Sequence, residues 1–408
     1  MRIAFIVDAF PVLSETFVLN QITGLMDLGH DIEIFAGARA TKEMYPPEVE
    51  KYGLLKRTYY HNEKPRNIFT RFLKSIRLFV LNIGKNPLVI LRSLNFFKYG
   101  KDALALTLLY KAVVFLNRGE FDIIQCHFGG NGNVGVLLKE LGIQGKVVTM
   151  FHGYDIRRGI NTNGKIYKRL FKKGDLFLSI SAYNYKHLVG FGADPNKIVY
   201  HPVGIDLKRF SWGHERIFPK ADETFQIATV ARLIREKGLS YGIDAVEKVV
   251  KKNPGIKIEY FIIGEGPLRE ELEKLIIAKK LESVVHFMGI MQQENVVRVL
   301  RHMHLFLLPS IAEALPVVLM EAQALGLPIV ATSVGSIDQV VLNGESAYLV
   351  NSKDPDAMAE RIEYLTRHHE TWIGMSRAGR KFVEEHYDID KLNKRLVEIY
   401  KGALGGNE

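Results

Sequence analysis

Glu313 and Glu321 stand eight residues apart in the segment 309–338, which has the order of a strand, a loop and a helix. Pro316 suits the first turn of that helix, and the two carboxylates would lie about 12 Å apart if the segment were helical throughout. Each carboxylate can accept hydrogen bonds from paired hydroxyls, and a helix N-terminus attracts a phosphate anion. The spacing therefore fits a nucleotide sugar, with Glu313 at the sugar hydroxyls and Glu321 at the ribose hydroxyls. The alternative is that Glu313 is a helix cap and Glu321 a solvated helix residue.

Two cations, Arg232 and Lys237, occur in the sequence VARLIREKG, after a predicted strand and before a helix predicted to begin near Gly238. At the end of a strand, such a pair can neutralise a diphosphate leaving group as its negative charge develops. The same residues in a solvated loop would have no such role, and that alternative stays open.

The sequence IIGEGP places Gly264 and Gly266 at the end of another predicted strand. Glycines let the backbone approach a ligand closely, so this turn is a candidate for the nucleotide side of a site. It lacks the third glycine of a dinucleotide-binding fingerprint. A plain strand-to-helix turn is the alternative.

The sequence FHGYDI places His152 directly after a predicted strand and before Gly153. A histidine at the carboxyl end of a buried strand is well placed for catalysis, although a lone histidine is more often structural. Asp155 either orients this loop or caps the helix that follows.

These candidates need strands whose carboxyl ends lie together. Each half of the chain has six short apolar runs without alternation, as expected of parallel strands that are covered on both faces. Helical segments separate the runs, which predicts an α/β fold with doubly wound sheets that bind ligands beyond the carboxyl ends of their strands. The predicted strands are residues 3–7, 32–36, 123–127, 147–151, 176–180 and 198–201, then 225–230, 258–263, 284–287, 305–308, 329–332 and 348–350.

Two domains are expected, because 408 residues are too many for one ordinary core. We place an N-terminal domain at residues 1–205, a C-terminal domain at 206–387, and a C-terminal helix with a frayed tail at 388–408. Asp388 or Asp390 is expected to cap that helix, which explains this Asp-x-Asp pair better than a metal site does. The natural ligand site is a cleft between the two domains.

The composition is that of a soluble globular protein, with 47% hydrophobic and 25% charged residues. The one cysteine, Cys126, cannot form an intramolecular disulfide, which favours the cytoplasm, and we interpret it as a small buried residue. The N-terminal sequence MRIAFIVDAF lacks the features of a signal peptide. No stretch approaches the roughly 20 apolar residues of a membrane-spanning helix.

Positive charge is concentrated in the first half: the net charge is about +12 for residues 1–205 and about −2 for the rest, in agreement with the total of +10. Residues 66–118 hold about ten Lys and Arg residues against one acid, Asp102. We predict a basic amphipathic helix here that lies in a membrane interface; the alternative is an inserted helical pair that packs on the domain and whose charges are merely solvated. The residues at helical spacing are Arg71, Lys74 and Arg77, with Phe69, Phe72, Ile76 and Phe79 alongside.

Taken together, these motifs resemble glycosyltransferase family 4, whose fold is GT-B. The similarity rests on the Glu-x7-Glu pair with ALGLPIVAT after it, and on VARLIREKG, IIGEGP and FHGYDI. It extends over nearly the whole chain. The sequence SETF near the N-terminus resembles the branch of the family that builds bacterial exopolysaccharides such as colanic acid.

The resemblance implies two Rossmann-like domains that face each other across a cleft, with the C-terminal helix crossing back to the first. It implies a retaining hexosyltransferase whose catalytic residues are His152, Glu313, Arg232 and Lys237. The implied residues that bind the donor are Arg232, Lys237, Gly264, Gly266, Glu313, Ala314, Leu315, Pro316 and Glu321. The implied residues on the acceptor side are Ser14, Glu15, Thr16 and His127, and Ser14 alternatively only caps a helix.

Three departures from the family pattern leave the donor sugar open. Ala314 stands where members often have glycine, residues 335–338 read GSID instead of Gly-Gly-x-x-Glu, and residues 202–206 read PVGID where Asn-Gly-Val-Asp is common. UDP is the default nucleotide, from its frequency in the family.

We expect no cofactor and no metal, with Arg232 and Lys237 replacing a cation. The expected partners are a nucleotide-sugar donor, a lipid-linked or oligosaccharide acceptor, and an anionic membrane surface, but no nucleic acid. The expected location is cytoplasmic and peripheral, on the inner face of the cell membrane. Two rival functions remain: a nucleotide-sugar epimerase of the same architecture, and a non-catalytic binding protein for anionic lipid or nucleic acid.

Overall fold

The computed structural model describes residues 1–12, 15–40, 45–61, 65, 67–116, 118–211 and 223–405. The chain divides into two compact units: Met1–Pro202 with Asn393–Glu408, and Val203–Leu392. The first division falls three residues before the boundary placed at 205, and the second unit extends past residue 387 to Leu392. Ser14, Arg66 and most of the junction, residues 212–222, lie outside the described residues.

The first unit is built on a seven-stranded parallel sheet in the order β3-β2-β1-β4-β5-β6-β7. Its central strands are buried on both faces, as their apolar runs predict. Six strands were predicted, and β3 is an additional edge strand. The strands are β1 Arg2–Phe10, β2 Asp31–Arg39, β3 Thr58–Tyr60, β4 Ile123–His127, β5 Lys146–Phe151, β6 Leu176–Ser179 and β7 Ile198–Tyr200.

Helices cover both faces of this sheet, as a doubly wound fold requires. The basic segment between β3 and β4 forms five of them, α3 to α7, and the Asn67 side chain caps α3 by accepting from the N–H groups of Phe69 and Thr70. No helix in the described ranges is long and apolar enough to cross a membrane. The helices are α1 Thr16–Asp27, α2 Glu48–Lys51, α3 Ile68–Ile83, α4 Pro87–Ser93, α5 Phe96–Tyr99, α6 Lys101–Leu104, α7 Thr107–Val113, α8 Gly129–Leu141, α9 Gly153–Thr162, α10 Lys168–Lys173 and α11 Ala182–Gly190.

The second unit has a six-stranded parallel sheet in the order β10-β9-β8-β11-β12-β13, and all six strands were predicted. Its strands are β8 Phe225–Val230, β9 Ile258–Ile263, β10 Val285–Gly289, β11 Leu305–Leu308, β12 Ile329–Thr332 and β13 Ala347–Val350. Its helices are α12 Leu239–Lys252, α13 Arg269–Ala278, α14 Gln293–His302, α15 Val317–Ala324, α16 Pro355–Arg367 and α17 Glu370–His386.

The last helix, α18 (Ile389–Leu404), begins in the second unit and ends in the first. At its start, Asp388 Oδ1 accepts from the N–H of Asp390 at 2.9 Å, as a capping aspartate does. Further along, the Tyr400 hydroxyl donates to Gln125 Oε1 on β4 at 2.9 Å. The predicted return of this helix to the first domain is thereby confirmed.

Cys126 is fully buried within β4, which confirms its interpretation as a small core residue. Burial raises the pKa of its thiol far above the ordinary range. Because a nucleophilic cysteine must be a thiolate, Cys126 has a packing role only.

Candidate functional site

The strand order of the second unit reverses at β8 and β11, which lie side by side although β9 and β10 come between them in sequence. In open α/β sheets, ligands bind at the carboxyl ends of the strands where the order reverses. Arg232 and Lys237 follow β8, and Glu313 follows β11. The two motifs predicted from sequence therefore flank the expected ligand position of this unit.

Lys237 and Glu313 are in direct contact at this point. The Nζ atom of Lys237 lies 2.5 Å from Oε1 of Glu313, and the Ser310 hydroxyl donates to the same oxygen at 2.7 Å. The Glu313 side chain is 8% exposed and that of Lys237 is 19% exposed. A charge-assisted hydrogen bond in so little water is strong and holds both groups in place. Ser310 was not predicted, because a serine beside a proline gives no signal of its own.

Arg232 differs from Lys237, because its side chain is exposed and no ion pair joins it to another of the described residues. An exposed guanidinium at the end of β8 is open to an anionic ligand and can bind phosphate oxygens in a bidentate manner. The sequence prediction that both cations bind a diphosphate stays a prediction.

The loops at these strand ends are held against one another by main-chain hydrogen bonds. The N–H of Ile311 donates to the Glu236 carbonyl at 2.7 Å, and the N–H of Leu233 donates to the Glu265 carbonyl at 3.0 Å. A Cβ on Gly264, whose φ is +140°, would lie only 1.9 Å from the Ala231 carbonyl oxygen. Gly264 therefore serves loop packing inside the protein, as does Gly266, and their predicted contact with a nucleotide remains untested.

Gly335, in the sequence GSID, also lies too close to neighbouring backbone to carry a side chain, and here the neighbour is Glu313 itself. Its φ is +61°, and a Cβ there would lie 1.7 Å from the carbonyl oxygen of Glu313. Another side chain at this position would displace the main chain that carries the Glu313 carboxylate. The glycine that the family pattern shares with this sequence is therefore required by backbone packing.

We expect Gly335→Ala to lower the free energy of unfolding by at least about 3 kcal/mol, since steric overpacking adds to the left-handed backbone strain. Gly344→Ala is the matched control, because its φ is +83° and a Cβ there would have nothing within 4 Å of it. The control should lose only about 1 kcal/mol. Urea unfolding of both variants measures the difference, and equal losses would contradict the clash.

The loop of residues 309–316 leads into a short helix, α15, which starts at Val317 with Pro316 in the capping position. Residues 309–316 are not helical, so the separation calculated for a fully helical segment does not apply, and Pro316 immediately precedes the first turn in which it was predicted. Leu315 and Pro316 are buried, and Ala314 is half-buried. These three residues fix the path of the loop from Glu313 to the helix.

Glu321 is buried in α15 and is held by two residues that the sequence analysis missed. Gln293 Nε2 donates to Glu321 Oε1 at 3.2 Å, and Arg209 Nη1 donates to Gln293 Oε1 at 2.5 Å. Burial raises the pKa of Glu321 to about 7, while the Gln293 hydrogen bond and the charge of Arg209 act in the opposite direction. At neutral pH this carboxyl is therefore divided between its neutral and ionised forms.

In the first unit the strand order reverses at β1 and β4. Glu15 and Thr16 follow β1, His127 is the last residue of β4, and His152 directly follows β5. The described acceptor-side residues and the predicted catalytic His152 thus lie at the carboxyl ends of three neighbouring strands, where a ligand is expected.

The two histidines form a buried hydrogen-bonded chain with Gln21. His127 Nδ1 lies 3.2 Å from His152 Nε2, and His127 Nε2 lies 3.0 Å from Gln21 Oε1. With Gln21 Oε1 as acceptor, His127 carries its proton on Nε2, and His152 donates its own Nε2–H to His127. The ring of His152 packs against Phe17 and Phe128 at 4.7 and 4.8 Å between centroids.

Burial lowers the pKa of His152 to about 3 and that of His127 well below its usual value. Both rings are therefore neutral at physiological pH, and His152 is a poor proton acceptor. His127 has no exposed surface, so it affects a ligand only through His152. Gln21 was missed because only the fold brings α1 against the ends of β4 and β5.

Asp155 both orients the loop and caps a helix, so the two sequence alternatives hold together. Its Oδ2 accepts from the His152 N–H at 2.9 Å, and its Oδ1 accepts from the Gly129 N–H at 2.8 Å. It therefore joins the loops after β4 and β5. Burial raises the pKa of Asp155 to about 7, although these hydrogen bonds act to lower it.

Glu15 stands at the N-terminus of α1, where it is half-buried beside Phe10, Val18 and Val49. Burial raises the pKa of Glu15 to about 7, and the charge of Asp8 adds to the shift. Thr16 is the first residue of α1. Their roles towards an acceptor stay predictions, and Ser14 lies outside the described residues.

In the part of the chain that the structure describes, no group of three or more His, Cys, Asp or Glu side chains is placed to hold a metal ion. Asp390, in the Asp-x-Asp sequence, instead pairs with Lys208 at 2.8 Å. The capping role inferred for Asp388 explains the other half of that motif.

Two family models together match most of the chain. The model of glycosyltransferase family 4 matches residues 14–209, and the model of group 1 glycosyl transferases matches residues 211–382. The amylovoran biosynthesis glycosyltransferase AmsK of Erwinia amylovora is 33% identical over 98% of this chain and 99% of its own length. WcaL of Salmonella typhimurium, assigned to colanic acid biosynthesis, is 32% identical over 98% of this chain and 99% of its own.

Solved structures of GT-B glycosyltransferases share the fold. Anabaena HepE, solved in complex with UDP, aligns with a TM-score of 0.74 over 98% of this chain and 100% of its own, at 15% identity. That similarity establishes architecture only. The matches of both family models, together with full-length relatives above 30% identity, show that the chain belongs to glycosyltransferase family 4.

Proposed function

We propose that this glycosyltransferase moves a hexose from a nucleoside-diphosphate sugar, UDP-sugar by default, to a lipid-linked or saccharide acceptor in bacterial cell-surface polysaccharide biosynthesis. The contact between Lys237 and Glu313 is the observation that most supports it, because it joins a cation, which can bind phosphate, to a carboxylate, which can bind sugar hydroxyls, where the strand order reverses. The names of AmsK and WcaL support the polysaccharide class, and the UDP and UDP-glucose complexes of HepE support the donor class.

The donor would lie along the carboxyl ends of β8 and β11. Arg232 and Lys237 would bind the diphosphate, Glu313 would accept from sugar hydroxyls, and Glu321 would accept from the ribose hydroxyls. Because Lys237 is held by Glu313, its side chain would lose little conformational entropy when a phosphate binds. Preorganised charge of this kind stabilises a developing leaving group with little reorganisation at the moment of reaction.

The proposed chemistry retains the configuration at the anomeric carbon. The bond from the anomeric carbon to the β-phosphate oxygen breaks, and the acceptor oxygen forms its bond on the same face. The acceptor proton passes to the departing phosphate, which leaves as the nucleoside diphosphate. Because its pKa is about 3, His152 is assigned contact with the sugar as a neutral ring and not the role of general base.

No metal is required in this proposal, since the two cations would balance the charge of the diphosphate. The proposed location is cytoplasmic and peripheral, on the inner face of the cell membrane. The excess of basic residues in the first unit supports it, because anionic lipids of that leaflet attract polybasic segments.

Thermal unfolding with a panel of nucleotides and nucleotide sugars, in chelator and without added metal, tests the donor site. A ligand at a hundred times its Kd stabilises the protein by about 2.7 kcal/mol, so UDP should raise the midpoint measurably. Glu321→Ala and Arg232→Ala should lose the shift, whereas Lys248→Ala, a change in an exposed ion pair of the same unit, should keep it. No shift with any nucleotide would contradict the proposal.

With the donor identified, the anomeric configuration of the product tests the retaining mechanism. Proton NMR of the early product should show the configuration of the donor sugar at the anomeric carbon. Inverted product would overturn the retaining mechanism while leaving donor binding intact, and transfer that requires added divalent metal would overturn metal independence.

A further inference from the structure

Helix α3 exposes most of its apolar side chains, although Phe79 and Ile83 near its C-terminal end pack against the core of the first unit. Ser75 and Asn82 are its two buried positions, and each donates to a carbonyl of its own helix at 2.7 Å. By contrast, Phe69 is 70% exposed. Phe79, which the sequence prediction placed beside the basic residues, packs against the core of the first unit instead. Exposure of this many apolar side chains to water is unfavourable, so this face is expected to bind a partner that covers it.

The exposed apolar residues are concentrated in this part of the chain. Of the 23 large hydrophobic side chains exposed among the described residues, 12 fall within residues 68–104. Phe97, on α5, is 89% exposed. The twelve are Ile68, Phe69, Phe72, Leu73, Ile76, Val80, Leu81, Leu88, Leu91, Phe96, Phe97 and Leu104.

Their spacing on α3 forms one continuous face. With 3.6 residues per turn, the exposed apolar residues 68, 69, 72, 73, 76 and 80 fall within an arc of roughly 140°. Phe79 falls within the same arc but packs against the core. Arg77 and Lys74 come next around the helix, beyond residue 73. An apolar face bordered by cations is the form of a helix that lies in the plane of a membrane interface.

Charge decides which partner fits. Residues 67–116 contain eight Lys and Arg residues and one acid, Asp102, a net charge of +7. A second copy of the chain on this face would bring +7 against +7, which opposes association. An anionic bilayer offers acyl chains to the phenylalanines and negative headgroups to the cations beside them.

We propose that α3, α4 and α5 form a membrane-docking surface whose apolar side chains enter the acyl boundary of an anionic bilayer. The inference rests on the part of the proposed function that gives the enzyme a lipid-linked acceptor, and it adds the structural elements and the depth of contact. Attraction between charges alone would leave the phenylalanines in water, so insertion is the distinguishing claim.

Co-sedimentation of the full chain with vesicles containing 30% phosphatidylglycerol tests the surface, with pure phosphatidylcholine vesicles for comparison. Phe72→Ser/Phe97→Ser should weaken binding to anionic vesicles by at least about tenfold, because each buried phenylalanine adds substantially to partitioning. Leu55→Ser/Ile277→Ser removes exposed apolar side chains elsewhere and should stay within about twofold of the unchanged chain. Lys74→Glu/Arg77→Glu should abolish the preference for anionic lipid.

Because Cys126 is fully buried, a Phe97→Cys variant can be labelled there with an environment-sensitive dye. Emission should shift to the blue on anionic vesicles and be quenched by nitroxides on the acyl chains. Vesicle binding that is insensitive to Phe72→Ser/Phe97→Ser, or quenching only by headgroup nitroxides, overturns insertion. If the unchanged chain self-associates but does not bind vesicles, and Phe72→Ser/Phe97→Ser abolishes the self-association, the surface binds a second copy of the chain and the membrane proposal is wrong.

Vesicle binding and stabilisation by UDP test the docking surface and the donor site independently. A chain that is stabilised by UDP but does not bind vesicles overturns the docking surface and leaves the donor proposal standing. A chain that binds vesicles through these phenylalanines but responds to no nucleotide supports the surface and contradicts the donor proposal.

Discussion

Lys237→Met is expected to lower kcat for sugar transfer by about 100- to 1,000-fold, the usual cost of removing one preorganised group that stabilises developing charge. Lys237 Nζ lies 2.5 Å from Glu313 in a nearly dry environment, so its position is fixed before the donor arrives. Its loss would remove the cation proposed to bind the leaving phosphate, and would also free the carboxylate proposed to bind the sugar. Initial rates with saturating donor measure the change.

The same substitution should have a limited effect on folding. Breaking a buried ion pair costs about 3–5 kcal/mol when it leaves a charge without a partner, but Glu313 keeps the Ser310 hydroxyl at 2.7 Å and some exposure. Lys248→Met is the matched control, because it removes a lysine from the exposed pair with Asp356, which contributes about 0–1 kcal/mol. If Lys237→Met is less stable but keeps a kcat within about fivefold of that of the unchanged enzyme, the Lys237–Glu313 pair has a structural role and no catalytic one.

The sheets could be predicted from sequence because each buried parallel strand is a short, nearly uninterrupted apolar run. The segment 305–308, LFLL, is fully buried and was predicted to the residue. β3 was missed, since Thr58–Tyr60 has only three residues and lies at the edge of the sheet, where half-buried polar residues are tolerated. Strands can be predicted from apolar runs where burial determines the residue type, and they are missed where it does not.

The residues of the candidate site also fall into those that the sequence could predict and those that it could not. The motif residues Glu313 and Lys237 could be found because their types and their positions after strands are both informative. Gln293 could not, because its contact with Glu321 spans 28 positions and depends on the packing of α14 beside α15. The sequence predicted an amphipathic basic helix at α3 but left open whether its apolar side meets a membrane or packs on the domain, because periodicity locates an apolar stripe and does not say what covers it.

Glu321 should make donor affinity depend on pH. Its pKa, raised to about 7 by burial, means that the carboxyl is mostly protonated at pH 6 and mostly ionised at pH 8. The ionised form accepts hydrogen bonds from two ribose hydroxyls more strongly than the neutral form does. We therefore expect the Kd for UDP to rise as pH falls below 7, by up to about tenfold per pH unit.

The effect on the empty protein has the opposite sign. A carboxyl with a raised pKa contributes stability that is fully present below its unfolded value of 4.5 and is lost as pH rises through about 7. UDP binding offsets that loss, because it favours the ionised form. The stabilisation produced by UDP should therefore grow between pH 6 and pH 8, as measured by thermal unfolding at fixed ligand concentration.

Glu321→Gln and Gln293→Leu separate this carboxyl from other titrations, including that of the UDP phosphate itself. Glu321→Gln should bind UDP more weakly and retain only the pH dependence of the ligand. Gln293→Leu removes the hydrogen bond that acts to lower the pKa of Glu321, so the loss of affinity should begin at a higher pH. An identical pH profile in all three proteins would show that Glu321 does not contact the nucleotide, whereas a shifted profile in Gln293→Leu would identify Gln293 as a residue that positions it.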